Sequence, residues 1–301
     1  MGSKRQAAGD QPGEHGIPGL DHRPRAARCL GRLRLYYPVV GSTNDVARAL
    51  AGAGFPHGTV VVADVQTAGR GRQGRRWQAP PGAALLCSTL LRPALPAAAL
   101  PVLTMAAALA VADAAAAVTG RPAALKWPND VLMETAGAAG RPSPPARARA
   151  GESEPPLKKV AGVLLETALA GSRLASVIVG IGINVSAHPP ELATATDLAA
   201  VAGRPIARAA VLEALLARLD HWAGAVLAGE QVAVFATWRA RLVTLGRPVH
   251  VVTAGEAFDG LAEDVDAGGA LLVRVAGGAR RRLLAADVTL SHERCVPAGD
   301  T

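Results

Sequence analysis

The chain has 301 residues, half of them apolar, so it is long enough for two domains and too hydrophobic for a disordered protein. Aromatic residues make up only 3% of it, which predicts a core built mainly from small aliphatic side chains. The formal charge of +8 at pH 7 permits nucleic acid or acidic partners, but an arginine-rich composition bias explains the charge equally well.

The N-terminal third of the chain predicts a tail, two strands and a helix. Residues 1–30 mix Gly, Pro and charges without periodicity, which predicts a disordered tail without a secretory signal. Two β-rich runs follow, VVVADVQ at 60–66 and LLCSTLLR at 85–92. Residues 94–118 are long and apolar enough for a membrane span, but two prolines and an aspartate interrupt them. We predict a buried helix that starts near Pro101, since proline suits a first helical turn.

The middle of the chain predicts strands around an insertion. LKWPNDVLM (125–133) has the pattern of one strand bent at Pro128. Residues 134–158 are rich in Gly, Pro and Ser and lack apolar anchors, which predicts a disordered insertion. The apolar runs 160–169 and 176–185 are separated by a Gly-Ser turn, so we expect a hairpin inside a covered sheet.

The C-terminal third predicts two helices and a small β domain. Residues 207–229 carry an apolar stripe at helical spacing, and a second helix is predicted over 232–242. After Gly246 short strands alternate with glycine turns, which is typical of a small barrel.

The cysteines indicate a reduced protein. Cys29, Cys87 and Cys295 are widely spaced and contain no CxxC pair, so neither a disulfide framework nor a zinc site is predicted. Cys87 lies in an apolar strand, and we expect it to be a core residue rather than a nucleophile.

The least ordinary segment is GRGRQGRRW, which begins at Gly69 and alternates glycines with Arg70, Arg72 and Arg75. Glycine lets the backbone approach a ligand closely, and arginine offers planar, permanently charged donors to phosphate or carboxylate. The pattern therefore predicts an anion-binding loop. A solvated basic loop and a nucleic-acid patch are the alternatives that the segment alone leaves open.

A second segment, KWPND, starts at Lys126 on an apolar strand. Its ammonium group is expected to enter a pocket or to pair with a buried carboxylate such as Asp130. A lysine whose stem lies along the apolar strand end, with its ammonium in water, is the structural alternative.

Two further segments carry polar residues beside apolar runs. In GSTND, Ser42 and Thr43 offer hydroxyl donors, and Asn44 or Asp45 is predicted to cap the helix that follows. In the run that ends GIGIN, small residues allow a group to lie flat against the sheet. Asn184 at its end either serves a ligand or holds a turn.

In this order the segments resemble the biotin–protein ligases. The family motifs are matched by GSTN at 41–44, GRGRQGRRW at 69–77, KWPND at 126–130, and KVAGVL with GIGIN between 159 and 184. The resemblance covers roughly residues 36–290. It implies an α/β fold of the α+β type, with a central mixed sheet flanked by helices over 31–245 and an SH3-like barrel over 246–295.

The resemblance also implies the site residues. Biotin would be bound by Ser42, Thr43, Asn44, Gln66, Gly69, Arg70, Gly71, Arg72 and Lys126. ATP and the adenylate would be bound by Arg70, Arg72, Arg75, Trp77, Trp127, Asn129, Lys159 and Asn184. Lys126 would be the essential lysine and Arg72 the second catalytic residue, and no metal site built from protein ligands is expected.

The implied activity joins biotin to ATP, with Mg²⁺ on the phosphates, and transfers biotin to a lysine of a biotin carboxyl carrier domain of a biotin-dependent carboxylase. Ligation or transfer of lipoate or octanoate is the sibling alternative, and a nucleic-acid-binding module is the alternative from another class. The residues before the catalytic pattern are too few for a winged helix-turn-helix, so no sequence-specific DNA partner is expected. We expect a cytoplasmic monomer or weak homodimer without a membrane partner.

Overall fold

The computed structural model describes residues 20–21, 29–135 and 156–290, which form thirteen strands and five α-helices. The strands are β1 (Leu20–Asp21), β2 (Arg34–Val40), β3 (Val60–Gln66), β4 (Ala84–Leu91), β5 (Ala123–Lys126), β6 (Asp130–Glu134), β7 (Leu157–Ala170), β8 (Arg173–Asn184), β9 (Pro248–Val252), β10 (Ala257–Val265), β11 (Leu271–Val275), β12 (Arg280–Leu283) and β13 (Asp287–Leu290). The helices are α1 (Thr43–Gly52), α2 (Leu100–Thr119), α3 (Leu198–Ala202), α4 (Arg208–Leu227) and α5 (Gln231–Ala240).

Eight strands form the predicted central mixed sheet, in the order β1–β2–β3–β4–β8–β7–β6–β5. Strands β2 and β3 are parallel, and all other neighbours are antiparallel. Successive side chains point to opposite faces of a strand. Val60 therefore joins the large core with α2 and α4, while Val61 packs with Ala47 of α1 in a smaller cluster. The sheet thus lies between α1 on one face and the larger helices on the other.

Helix α2 is the core helix of the protein. It begins at Leu100, and Pro101 lies in its first turn as predicted. By length and composition the segment Ala97–Thr119 could cross a membrane, but 72% of its apolar window is buried inside the protein. Asp113, the aspartate within it, accepts a hydrogen bond from Trp222 Nε1 at 2.8 Å.

Residues 125–133 form a hairpin, so the predicted single bent strand is wrong. β5 ends at Lys126 and β6 begins at Asp130, and these two residues face each other in antiparallel register. Between them Pro128, joined to Trp127 by a cis bond, has no N–H with which to continue a strand ladder. The reversal places the lysine and the aspartate side by side at one end of the sheet.

Each of the two segments predicted to be disordered includes residues that the structure places in a strand or in the core. Leu20–Asp21, inside the predicted tail, pair with β2, and Leu30 is buried in the core. At the predicted insertion, Glu134 and Leu157 pair with each other as part of β6 and β7. Backbone pairing continues past the apolar pattern because it does not depend on apolar side chains. The rest of both segments lies outside the described residues.

The C-terminal strands form an antiparallel sheet in the order β12–β11–β10–β9–β13. The predicted short strands and glycine turns are confirmed. Between the described strands β12 and β13 no backbone pairing closes the sheet into a barrel. Val249, Val251 and Val273 are buried and belong to the same core cluster as the large helices. The two sheets therefore share one hydrophobic core.

Trp127 ties the hairpin to the C-terminal region. Its indole Nε1 donates to the carbonyl of Gly269 at 2.8 Å, and the side chain is buried. Its backbone N–H donates to Thr244 Oγ1 at 2.9 Å, and Thr244 is fully buried. Both bonds fix the turn that carries the KWPND motif.

We expect Thr244→Val, which keeps the shape of the side chain, to lower the free energy of unfolding by about 1–3 kcal/mol because the Trp127 N–H loses its buried acceptor. Thr237→Val is the matched control, since this half-buried threonine donates its hydroxyl to the Ala233 carbonyl of its own helix, in a bond that is exposed to solvent; its effect should stay within about 0.5 kcal/mol. Urea unfolding of both variants checks this. Equal stability of Thr244→Val and the unchanged protein would show that the bond contributes nothing.

Candidate active site

The ends of the two parallel strands bring the first predicted residues together. Val40 at the end of β2 is opposite Gln66 at the end of β3, because the carboxyl ends of parallel strands meet at one edge. Gln66 Oε1 accepts from the Thr43 backbone N–H at 2.7 Å and from Thr43 Oγ1 at 2.9 Å. Ser42 precedes Thr43 and is buried. The predicted cluster of hydroxyl and amide groups is therefore present.

Asn44 and Asp45 do not cap α1, so that prediction is wrong. Ser42 occupies the N-cap position, and the helix begins at Thr43. Asn44 is buried and faces the sheet, where its Oδ1 accepts from Ser88 Oγ at 2.6 Å. Its amide is thereby held away from the helix N-terminus. Within the described part of the chain, Asn44 Nδ2 finds no hydrogen-bond partner.

Three glycines on the neighbouring strands β7 and β8, Gly162, Gly180 and Gly182, form a flat area that we call the glycine platform. Gly162 and Gly182 are opposite each other in register. A Cβ on Gly180 would lie 2.2 Å from Asn44 Oδ1, and one on Gly182 would lie 2.4 Å from Trp77 Cε2. The sequence predicted that a group lies flat against the sheet here, and that group is the Trp77 ring.

Residues 67–77, the arginine loop, close on themselves at a narrow neck. The Trp77 N–H donates to the Gly69 carbonyl at 3.0 Å, and the Gly71 N–H donates to the Arg75 carbonyl at 2.7 Å. A Cβ at Gly69 would lie 2.6 Å from the Trp77 carbonyl oxygen, so the neck requires glycine there. Gly69 thus shapes the loop.

Arg70 anchors the loop to two carboxylates, and its predicted contacts with biotin and the adenylate stay a prediction. Its guanidinium bonds both oxygens of Asp45, at 2.7 and 2.9 Å. It also bonds Glu166 Oε1 on β7 at 3.0 Å. Two carboxylates occupy a fork that would otherwise suit a phosphate. The side chain still borders the cavity described below.

Arg72 and Arg75 lie beyond this anchor. Arg75 forms an exposed ion pair with Asp287, the first residue of β13. Burial lowers the pKa of the Arg72 guanidinium, and the carboxylates of Asp130 and Asp287 oppose that shift. Arginine remains charged at any physiological pH. The partly buried Arg72 is therefore the loop cation that faces the interior.

Two lysines stand near the glycine platform. Lys159 Nζ pairs with Asp130 Oδ1 at 2.6 Å and lies 5.7 Å from the centre of the Trp77 ring. A Cβ on Gly162 would lie 3.5 Å from the same Nζ, so this ammonium sits on the platform. Lys126 also borders the cavity, at the end of β5.

The remaining predicted residues make structural hydrogen bonds and also line the cavity described below. Asn129 Nδ2 donates to the Val163 carbonyl at 2.7 Å, which ties the KWPND turn to β7. Asn184 Nδ2 donates to the Thr196 carbonyl at 3.0 Å, and no described group bonds its Oδ1. The Trp127 ring bonds the carbonyl of Gly269, and its predicted contact with the adenylate stays a prediction.

These groups border one cavity of about 410 Å³. All predicted site residues except Gly69 contribute to its lining: Ser42, Thr43, Asn44, Gln66, Arg70, Gly71, Arg72, Arg75, Trp77, Lys126, Trp127, Asn129, Lys159 and Asn184. The predicted residues that meet in this cavity are far apart in the sequence, from Ser42 to Asn184.

Three buried polar atoms in the cavity wall lack a hydrogen-bond partner within the described residues: Asn44 Nδ2, Trp77 Nε1 and Asn184 Oδ1. Buried polar groups are nearly always bonded, because leaving one unpaired costs about 1–3 kcal/mol. Two donors and one acceptor are therefore available to a ligand that carries polar groups at several points.

Part of the cavity wall lies outside the sequence motifs. Residues 286–289 of the C-terminal sheet and the segment from Pro189 to Ala195 also line the cavity. Neither stretch contains an unusual motif, and only the packing of the two sheets brings residues 286–289 to the site. No signal in the sequence could have identified Asp287.

Two family profiles match the chain. The Biotin/lipoate A/B protein ligase family matches residues 36–184, and the Biotin protein ligase C terminal domain matches residues 244–291. The biotin–[acetyl-CoA-carboxylase] ligase of Mycobacterium tuberculosis is 36% identical over 249 residues, covering 79% of this chain and 81% of the relative. The chain belongs to the biotin–protein ligase family. The resemblance inferred from the motifs is confirmed.

Other members of the family support the same assignment. The ligase of the same name from Paracoccus denitrificans is 32% identical, covering 82% of this chain and 96% of the relative. The bifunctional ligase/repressor BirA of Bacillus subtilis is 32% identical, covering 87% of this chain and 75% of the relative. The biotin protein ligase from Aquifex aeolicus, solved in complex with biotin and ATP, has 28% identity and a TM-score of 0.66, covering 85% of this chain and 97% of that one.

Cys87 is a buried core residue, as predicted. Burial raises the pKa of its thiol to about 12, so the thiol stays protonated at neutral pH and is no nucleophile. Cys29 is exposed.

At pH 8 we expect iodoacetamide to label Cys87 in the folded protein about a thousandfold more slowly than Cys29, because so little of the raised-pKa thiol is thiolate. Peptide mapping by mass spectrometry identifies each site, and labelling in urea shows that both peptides are detectable. Rapid labelling of Cys87 in the folded protein would contradict its burial.

Proposed function

We propose that this protein is an ATP-dependent biotin–protein ligase. It joins biotin to ATP to form biotinyl-5′-AMP and pyrophosphate, then transfers biotin to a lysine of a biotin carboxyl carrier domain. The observation that carries the proposal is one cavity in which three unpaired polar atoms and a cationic loop meet above the glycine platform. The family assignment supports the same reaction.

The end of the cavity near α1 suits the ureido ring of biotin. A ureido group has one carbonyl acceptor and two N–H donors. Asn44 Nδ2 is an unpaired donor, and the hydroxyls of Ser42 and Thr43 and the amide of Gln66 lie beside it. Neutral groups of this kind bind such a ring without leaving a charge buried.

The opposite end suits the adenine ring. Asn184 Oδ1 is an unpaired acceptor that matches the exocyclic amine of adenine, and Trp77 supplies an aromatic face and an unpaired N–H. Arg72, Lys126 and Lys159 stand at the cavity wall together with these two residues. The cations thus face the place where carboxylate and phosphate would meet.

Activation brings two anions together, and that repulsion is the main obstacle. The biotin carboxylate attacks the α-phosphorus of ATP, and pyrophosphate leaves. Fixed cations at the point where charge develops stabilise such a transition state. Mg²⁺ bound to the ATP phosphates would supply further positive charge, and the Asp130 carboxylate beside Lys159 is the group that would help to hold it.

The second step needs an acyl donor that is protected from water. Biotinyl-5′-AMP is a mixed anhydride, and the acceptor lysine amine attacks its acyl carbon while AMP leaves. The arginine loop lies over the cavity and shields it, as mobile loops do in other enzymes. No protein side chain forms a covalent bond in this scheme.

The alternative activities have less support. The first profile includes lipoate ligases, but the second profile and the relatives are specific to biotin protein ligases. A nucleic-acid-binding role is disfavoured because the guanidinium groups of Arg70 and Arg75 are already paired with carboxylates. We also infer a cytoplasmic location, because the widely spaced cysteines contain no CxxC pair and indicate a reduced protein.

The test is exchange of labelled pyrophosphate into ATP. We expect exchange that depends on biotin and Mg²⁺ and is absent with lipoate or octanoate. A purified carrier domain should then accept biotin from the preformed adenylate. Exchange that is supported by lipoate and not by biotin would overturn the proposal.

The two lysines are distinguished by substitution. Because Lys159 Nζ stands on the platform beside Asp130, we expect Lys159→Ala to slow exchange by about 10²–10³-fold, and by more than Lys126→Ala does. Lys158→Ala is the matched control, since Lys158 is the neighbouring residue on β7 and does not line the cavity. A larger loss in Lys126→Ala would make Lys126 the essential lysine, as the motif resemblance implies.

A further inference from the structure

Asp287 lies where the C-terminal sheet meets the arginine loop. It is the first residue of β13, and residues 286–289 line the cavity from that side. Its carboxylate forms an ion pair with Arg75. It also acts electrostatically on Arg72, the partly buried cation of the same loop. One carboxylate of the C-terminal sheet thus faces two arginines of the loop.

The loop has two ionic attachments of different kinds. Arg70 holds its first part to the central sheet through Asp45 and Glu166, in a partly buried cluster. Arg75 holds its second part to Asp287, with 63% of the arginine side chain exposed. An exposed pair is worth little and is screened by salt, so the second attachment opens far more readily than the first.

The tip of the loop between the two attachments, Gln73 and Gly74, is exposed to solvent. Gln73 and Gly74 have φ values of 54° and 74°, in the left-handed region that glycine adopts freely. A Cβ on Gly74 would meet no atom within 4 Å. The tip of the loop therefore depends on its end attachments to stay over the cavity.

We propose that Asp287 is a positioning residue, which keeps the arginine loop closed over the cavity by holding Arg75 and so slows escape of the adenylate. Asp287 acts through Arg75, and the adenylate is the one given by the proposed function, on which this step rests. The C-terminal sheet then contributes a residue to retention of the intermediate although none of the sequence motifs lies in it.

The first experiment needs no substrate. Amide hydrogen exchange of the loop peptide is measured in the ligand-free protein for Asp287→Asn and for Glu256→Gln. Glu256 is the matched control: it pairs with Arg281 on the same sheet and does not line the cavity. We expect loop exchange about two- to fivefold faster in Asp287→Asn, the size of an exposed ion pair, and unchanged in Glu256→Gln.

The second experiment is a double-mutant cycle on adenylate release. Dissociation of biotinyl-5′-AMP is measured for Asp287→Asn, for Arg75→Gln and for the double variant. We expect Asp287→Asn to release the adenylate about two- to fivefold faster. Because it acts through Arg75, the double variant should release it no faster than Arg75→Gln alone.

Each outcome decides a separate point. Effects that multiply in the double variant would mean that Asp287 acts independently of Arg75 and would overturn the proposal. So would unchanged loop exchange in Asp287→Asn. If the loop responds as expected but no variant or parent forms the adenylate, the proposed function fails while the ion pair is still shown to hold the loop.

Discussion

Gly180 and Gly182 lie two residues apart on β8 and therefore on the same face of the central sheet. On that face, a single methyl group would collide with Asn44 at one position and with Trp77 at the other. The neighbouring Val179 and Ile181 point the other way, into the core under the large helices. One strand thus builds the hydrophobic core with its odd-numbered residues and leaves room for the site with its even-numbered ones. The position of α1, the neck of the arginine loop and the depth of the cavity all depend on this alternation.

The electrostatics of the site follow from its shape. The guanidinium groups of the arginine loop repel one another and the nearby lysine ammonium groups. The protein balances these charges with carboxylates. Arg70 pairs with Asp45 and Glu166, Lys159 pairs with Asp130, and Arg75 pairs with Asp287. Burial lowers the pKa of Arg72, and the carboxylates of Asp130 and Asp287 offset only part of that effect. An anion bound in the cavity beside Arg72 would stabilise its charge further.

The sequence predicted the elements and most of the site because both are local properties. Runs of β-forming and apolar residues indicated the strands, and glycines among arginines indicated the loop. What it could not predict depends on contacts between distant segments. Arg70 meets Glu166 across 96 positions and Arg75 meets Asp287 across 212, and no local pattern reports such pairs. The KWPND hairpin was missed for a related reason, since a proline between two apolar runs is compatible with a bend as well as a reversal.

A ligase of this kind must meet two opposing demands, and the two loop attachments correspond to them. The intermediate must be kept from water until the acceptor lysine arrives, which requires a closed loop. The same loop must then admit a side chain from another protein. A permanently fixed loop satisfies the first demand and a free loop satisfies the second. A partly buried anchor at Arg70 combined with an exposed pair at Arg75 satisfies both, because one end of the loop stays attached while the other end opens at little free-energy cost. Because Asp287 lies on the C-terminal sheet, the end of the loop that opens faces that sheet, which also forms one wall of the cavity.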